Sequence, residues 1–484
     1  MPKQIIYQLH PNGWENDPEV EIRKVTTLDY LAACVYTNYA AFFRLDDDKK
    51  KLAASTLKAG LERTITQVRH IVGTIEKDEE KGGHVFVKKK DSTVPFHVQW
   101  LDSPEDEDKY PSIDDLEKAH FASVALGDLK IWSVEPMTYG EKPEAHPDNH
   151  PIISGFKANF IRGGLVLNIH FHHYACDVMG MSGFVEQLAD NCYAILNNTP
   201  FPPWSDAHFG VPQFIKDQPP EDQMIDGPPQ PQRHPDHLGG ATMYLFHLPK
   251  SKAAELKKLA WPDDGTWIST YDAFIAFLLR TKTRLRASVF KPDMSSSLPY
   301  AQSMDMRRRL RTPKCPPRMQ GNVYFVASST MTRVQQPTVA QIISEWPLSR
   351  LAQYVRQMTN EVTPERVDEV LNQLAPIRDK AALMTRSDSF PPLSNLQTDH
   401  RDVTVTMCDF GFGKPVGYRH VIDVVTENLT FVYPPRDRSP ESDEGPELSI
   451  TYETSLADGL LNDPEWNKYF EYRGIDCVHA GRHQ

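Results

Sequence analysis

The sequence lacks a disulfide framework, a membrane span and a basic surface. Its six cysteines (Cys34, Cys176, Cys192, Cys315, Cys408 and Cys477) are scattered over 484 residues without a C-x-x-C pair. That excludes a stapled secreted module and a cysteine-rich zinc site, and points to reduced thiols in a cytosolic enzyme. No window offers the roughly 18 consecutive apolar residues of a spanning helix. The N-terminus, MPKQIIYQLHPNGWEND, carries no apolar signal run. A cytoplasmic protein free of the membrane is therefore expected. With 53 Lys and Arg against 65 Asp and Glu, the net charge is −12, the wrong sign for a nucleic-acid surface. The three lysines in a row at Lys88–Lys90 read as a solvated strand end rather than a phosphate site. No short internal repeat is visible, which excludes solenoids.

What is present is a globular composition, 40% hydrophobic and 24% charged, at a length that exceeds one ordinary core. Leu165, Leu167, Ile169 and Phe171 alternate with Val166, Asn168, His170 and His172, the period of a buried strand. The strand runs into His172-His173, a short turn brings Asp177, and Phe184, Val185, Leu188, Cys192, Ile195 and Leu196 then recur at helical spacing. Ser55–His70, Ser251–Leu259, Tyr271–Arg284 (capped by Ser269-Thr270), Trp346–Met358 and Pro364–Leu374 also read as helices. Strands are expected at His84–Lys90, Lys130–Met137, Phe156–Arg162, Thr242–Leu248, Leu298–Met304, Val323–Ala327, Val403–Met407 and Leu448–Glu453, with a closing helix at Asp463–Phe470. Between 200 and 235 the prolines crowd (Pro202, Pro203, Pro212, Pro219, Pro220, Pro228, Pro229, Pro231), removing donors and fixing φ, as in a surface linker. The organisation expected is a first domain at 1–200, a crossover linker at 201–240 and a second domain at 241–484, with strands near 403–433 able to join the first. The fold class is α/β with mixed sheets.

His173-Tyr174-Ala175-Cys176-Asp177 is an H-x-x-x-D motif, Asp305-x-Arg307 is followed by Gly321-Asn322, and Asp409–Gly413 reads DFGFG. H-x-x-x-D alone occurs widely by chance; these elements in this order, at this length, resemble the BAHD acyl-CoA-dependent acyltransferases, and the fungal branch more closely than the plant one. Two departures stand out. The family places Gly directly after the motif Asp, whereas Val178 and Met179 intervene here before Gly180; and Phe412 replaces the Trp of DFGWG.

The resemblance implies two chloramphenicol-acetyltransferase-like domains with an active-site channel between them, and His173 midway along it. Acyl-CoA, acetyl-CoA by default, is the implied co-substrate; coenzyme A and a small-molecule alcohol or amine acceptor are the implied partners, with no nucleic acid and a monomeric enzyme. His173 would act as general base, in direct transfer within a ternary complex, since an imidazole with an ordinary pKa near 6.5 is basic yet largely neutral at cytosolic pH. Taken alone, a strand-end histidine reads as core; the accompanying motifs change that reading. The family implies an ion pair between Asp177 and Arg307, so Asp177 is assigned to structural support rather than to polarising His173. Asp409, Gly411 and Gly413 are assigned to structure near the channel rim. Ser269 and Lys257, with Lys252 and Lys258 nearby, could contact the CoA phosphates. His170 and His172 share an i, i+2 spacing that can chelate, but no third ligand is evident and no metal site is expected. Cys176 reads as an inert buried thiol rather than an acyl carrier. The leading function is O-acetylation of a fungal secondary metabolite; N-acylation of an amine, or a silent condensation-like module on the same scaffold, are the alternatives.

Overall fold

The computed structural model of the protein describes residues 2–78, 83–106, 108–140, 142–209, 214–216, 219–312 and 314–479. Two mixed sheets carry the fold, with a three-stranded satellite. The first runs β1 (Lys3–Leu9), β6 (Val94–Trp100), β7 (Ser154–Ile161), β8 (Gly164–His172), β3 (Tyr36–Arg44) and β13 (Pro415–His420). Only β6 and β7 are parallel; the other pairs are antiparallel. The second runs β11 (Tyr324–Ser328), β10 (Tyr300–Asp305), β12 (Asn395–Asp399), β14 (Leu429–Tyr433), β15 (Glu447–Glu453), β9 (Ala241–His247) and β16 (Glu471–Val478), with β10–β12–β14 parallel. The satellite is β2 (Val20–Lys24), β5 (His84–Lys89) and β4 (Thr74–Lys77).

β8 lies inside its sheet with all nine residues buried, and its two faces do different work. Leu165, Leu167, Ile169 and Phe171 pack into the core beneath α1 (Lys50–Gln67) and α2 (Val178–Asn197), where Phe171 and Phe156 meet Phe184 of α2 at 5.3 Å each. The opposite face holds a buried amide ladder, in which Asn168 donates to Asn38 at 2.9 Å and accepts from Asn159 at 3.1 Å. α3 (Lys250–Leu259), α4 (Thr270–Phe290), α5 (Leu348–Glu361) and α6 (Pro364–Leu374) belong to the second half, and α3, α4 and α5 build its own core against β9, β14 and β15. Between 198 and 240 the described residues hold neither a strand nor a helix longer than one turn; 210–213 and 217–218, including Pro212, lie outside the described residues.

Several expectations fail locally. Lys130–Met137 is not a strand: Asp128 caps a single helical turn, Leu129–Trp132, and the chain then bends to bring the Val134 N–H to Nε2 of His170 at 3.2 Å. Val403–Met407 is a 3₁₀ turn at its end, tied to α2 by the Thr404 N–H donating to Ser182 Oγ at 3.1 Å; the strand is β12, just upstream. Asp463 caps only one turn, Pro464–Asn467, and the chain closes with β16 instead of a helix. Lys88 is not solvated: it is 3% exposed, and its ammonium donates to Asp17 at 2.8 Å and to Glu21 at 3.1 Å.

Candidate functional site

Where β8 ends, the chain must turn without losing its backbone bonds. The His173 N–H donates to Val35 O at 2.9 Å, and the side-chain amide of Asn322 reaches the carbonyls of His173 (2.8 Å) and Tyr174 (2.9 Å) and a carboxylate oxygen of Asp29 (2.9 Å). Asn322 thus clamps the turn that presents the imidazole, which gives the Gly321-Asn322 pair a physical reason. Burial raises the Asp29 carboxyl to about 6, against the opposing bonds from Thr26 and Asn322.

Asp177 leaves the turn as the N-cap of α2. One carboxylate oxygen accepts from the Gly180 N–H at 2.7 Å and from Arg307 Nη2 at 3.0 Å; the other accepts from the Val323 N–H at 2.8 Å and from Arg307 Nη1 at 3.0 Å. Arg307 completes its donor set on Met319 O, Gly321 O and Asp305 Oδ1, each at 3.0 Å. The pair is therefore a bidentate, buried bridge joining the H-x-x-x-D turn to the second half of the chain. Among the described residues no hydrogen bond runs from Asp177 to His173. The displaced glycine also finds its reason: a Cβ on Gly180 would lie 2.9 Å from Gly321 O and 3.0 Å from Cys176 Sγ, so close approach to the Arg307 loop, rather than an unusual φ, demands glycine. Burial pushes the Cys176 thiol well above its ordinary range, with the Asp177 charge adding to the effect.

His173 opens onto a cavity of about 860 Å³ lined from both halves of the chain, by Thr37, Tyr39 and Tyr139 on one side and Gln302, Tyr324 and Gln397 on the other. Its Nδ1 is buried. Burial lowers the pKa of His173 from its ordinary value, partly offset by polar contacts with the main chain of His173 and Cys176 and by the Asp177 charge. Such a ring is neutral near pH 7 and can accept a proton. Its neighbours His170 and His172 face elsewhere: His172 Nε2 meets Ala145 O at 2.8 Å, and burial lowers the two rings to about 3 and about 4.

The remaining candidates divide. Ser269, the N-cap of α4, lines the cavity, but its hydroxyl donates to Asp272 at 2.8 Å within a capping box. Lys257 lies outside the cavity, in a surface hollow with Lys250, Lys258, Trp261 and Thr270, its ammonium 5.7 Å from the Trp261 ring and 5.8 Å from that of Trp267. Asp409–Gly413 does not line the cavity. Phe410 is buried against Phe43, the Gly411 N–H donates to Asp409 Oδ1 at 2.9 Å, and Gly411 (φ +82°) packs beside Tyr193, Leu196 and Asn197 at the end of α2. The turn packs against the C-terminal end of α2, a structural contact. Missed from sequence were Asp29, Tyr39, Tyr139, His400 and His420, none of which sits in a recognisable motif.

The cavity thus lies between two mixed-sheet halves, with the imidazoles of His173, His400 and His420 on its walls, and comparison with known proteins places the chain among acyltransferases. Residues 35–192 match the family described as the trichothecene 3-O-acetyltransferase-like N-terminal domain. An acetyltransferase of Gibberella zeae, FGR3, is 63% identical over 476 residues, 98% of this chain and 95% of the relative. The chain belongs to the same family of acetyltransferases as this relative, with a trichothecene 3-O-acetyltransferase-like N-terminal domain. More distantly, the trichothecene 3-O-acetyltransferase TRI101 of Fusarium sporotrichioides is 24% identical over 458 residues, covering 91% of this chain and 94% of the relative. The crystal structure of F. graminearum TRI101 with coenzyme A and T-2 mycotoxin superposes with a TM-score of 0.75 at 22% identity, over 94% of this chain and 100% of that one. Among the described residues no helix is long and apolar enough to cross a membrane.

Proposed function

We propose that the protein transfers an acetyl group from acetyl-CoA to a hydroxyl of a small fungal metabolite, with His173 as general base and without a covalent intermediate. The observation that carries the reading is the imidazole of His173: partly exposed to a cavity lined from both halves of the chain, clamped behind by Asn322, and held neutral by burial. Nε2 takes the proton as the acceptor oxygen attacks the thioester carbonyl; the C–S bond then breaks, and the proton passes to the departing CoA sulfur. Positioned proton transfer contributes about 10²–10⁴-fold, and joining two substrates in one cavity supplies much of the rest. Asp177 and Arg307 serve by holding the turn, because every carboxylate lone pair within reach is already engaged. The buried, poorly acidic Cys176 speaks against an acyl-enzyme. The relatives' acetyltransferase names, and coenzyme A with T-2 mycotoxin in the TRI101 crystal, support the choice of donor and of a hydroxyl acceptor.

For coenzyme A we assign the side of the cavity at the head of α4. Ser269 would contribute there through its cap rather than a free hydroxyl, and Lys257 would meet a phosphate only from the adjoining hollow reached past Thr270. The working division of the chain stays at 1–200, 201–240 and 241–484, with β13 lent to the first part. The test is thiol release from acetyl-CoA across a panel of alcohols and amines. Release with alcohols, abolished in a His173→Ala protein of unchanged melting temperature, is the expected result; release with amines alone, or silence throughout, overturns the assignment.

A further inference from the structure

His420 ends β13 and faces the same cavity as His173. It is 4% exposed, and among the described residues neither of its ring nitrogens has a hydrogen-bond partner. The neighbouring imidazole is satisfied: Nδ1 of His400 meets the Tyr418 hydroxyl at 3.2 Å and Nε2 meets that of Thr398 at 3.3 Å. Around His420 the walls are flat and apolar, with the rings of Tyr39 and Tyr139 at 4.9 Å and of Phe431 at 5.4 Å. A buried polar group left unpaired destabilises a fold, so its retention in an aromatic wall calls for an explanation. Packing alone would be served better by leucine or phenylalanine.

We infer that His420 recognises the acceptor, donating to or accepting from one of its oxygens while Tyr39, Tyr139 and Phe431 hold an apolar, ring-sized body. A neutral imidazole carries one donor and one acceptor nitrogen, so a hydroxyl or a carbonyl can be matched. Burial, reinforced by His400 and His173, keeps this ring neutral, and a ring so weakly basic is a contact for the substrate rather than a second base. The inference rests on the cavity being the acceptor site of the proposed transfer, and it names what that site selects: an alcohol with a flat or polycyclic apolar body bearing an oxygen where His420 can reach it.

The test uses the full-length protein and a matched pair of probes, 2-naphthol and 2-methylnaphthalene, similar in shape but differing in a hydroxyl. Binding is read by ligand fluorescence. Wild type is expected to prefer the naphthol by about tenfold, the worth of one net hydrogen bond. His420→Leu should reduce that preference to about two- to threefold while raising the melting temperature, because the substitution removes an unpaired buried polar group. His420→Gln, which keeps a donor and an acceptor, should retain most of it, and in wild type the His420 ring ¹⁵N resonances should move on adding naphthol but not methylnaphthalene. Equal binding of the two probes by wild type, or an undiminished preference in His420→Leu, overturns the inference. These readouts require no turnover, so they stand apart from thiol release, which tests the transfer itself.

Discussion

Replacing Asp177 by alanine leaves four donors without their acceptor: two from Arg307 and the N–H groups of Gly180 and Val323. Breaking a buried ion pair by removing one partner costs about 3–5 kcal/mol. Here Asp305 stays on Arg307 at 3.0 Å and tempers the loss of charge pairing, while the orphaned peptide donors add to the cost. A loss of about 4 kcal/mol follows, against a total stability of about 5–15 kcal/mol for a folded domain. The expected phenotype is poor soluble yield and an early urea midpoint, with activity lost in proportion to folded protein. Asp177→Asn should fare no better, since its amide would present N–H groups to donors. Arg307→Met alone should be similarly damaging, and joining it to Asp177→Asn should cost much less than the two single losses summed, because the charge and its partner leave together. An Asp177→Ala protein of wild-type stability with no turnover would sink this account, and would show the carboxylate acting on His173.

Three further outcomes follow from the same geometry. Asn322→Ala frees the turn behind the imidazole; kcat should fall by about ten- to a hundredfold with smaller changes in KM, because the loss is of positioning, and steady-state kinetics with either substrate varied would reveal a merely structural effect as a loss of active protein without a change in kcat per folded molecule. Gly180→Ala forces a methyl against Gly321 O and Cys176 Sγ, and calorimetry should find a loss of about 1–3 kcal/mol. Burial lowers His70 and His170 to about 3 and His172 and His400 to about 4. Between their ordinary pKa near 6.5 and those values the unfolded chain binds the extra protons, so stability falls with falling pH. Each such ring contributes up to about 1.4 kcal/mol per pH unit, and denaturation midpoints from pH 7 to 4 that do not decline would contradict it.

The H-x-x-x-D turn was legible because its signals are local: a two-residue period into His173, a carboxylate in a short turn at Asp177, then helical spacing. The Asp177–Arg307 bridge, by contrast, came from the family resemblance, since nothing in either segment states that they meet across 130 positions. β12 escaped notice because Asn395 and Gln397 are buried and polar, which erases the apolar alternation a strand normally displays. Lys130–Met137 misled in the opposite sense, its apolar residues being shared between a helical turn and a bend. Lys88 looked solvated because its partners, Asp17 and Glu21, lie some 70 residues away. The aromatic wall around His420 is assembled from 39, 139, 420 and 431, and only the folded chain brings those positions together.

β13 has a mechanical consequence. A ribbon drawn from near position 420 is stitched into the edge of a sheet otherwise made from the first 172 residues, with Tyr418 against Ala41 and His420 against Tyr39. The two lobes are thereby cross-laced and cannot swing apart like a clam without unzipping that seam. Access to the cavity does not come from the lobes parting, and a fragment severed in the proline-rich crossover would keep His173 yet lose the cavity wall that the second half supplies.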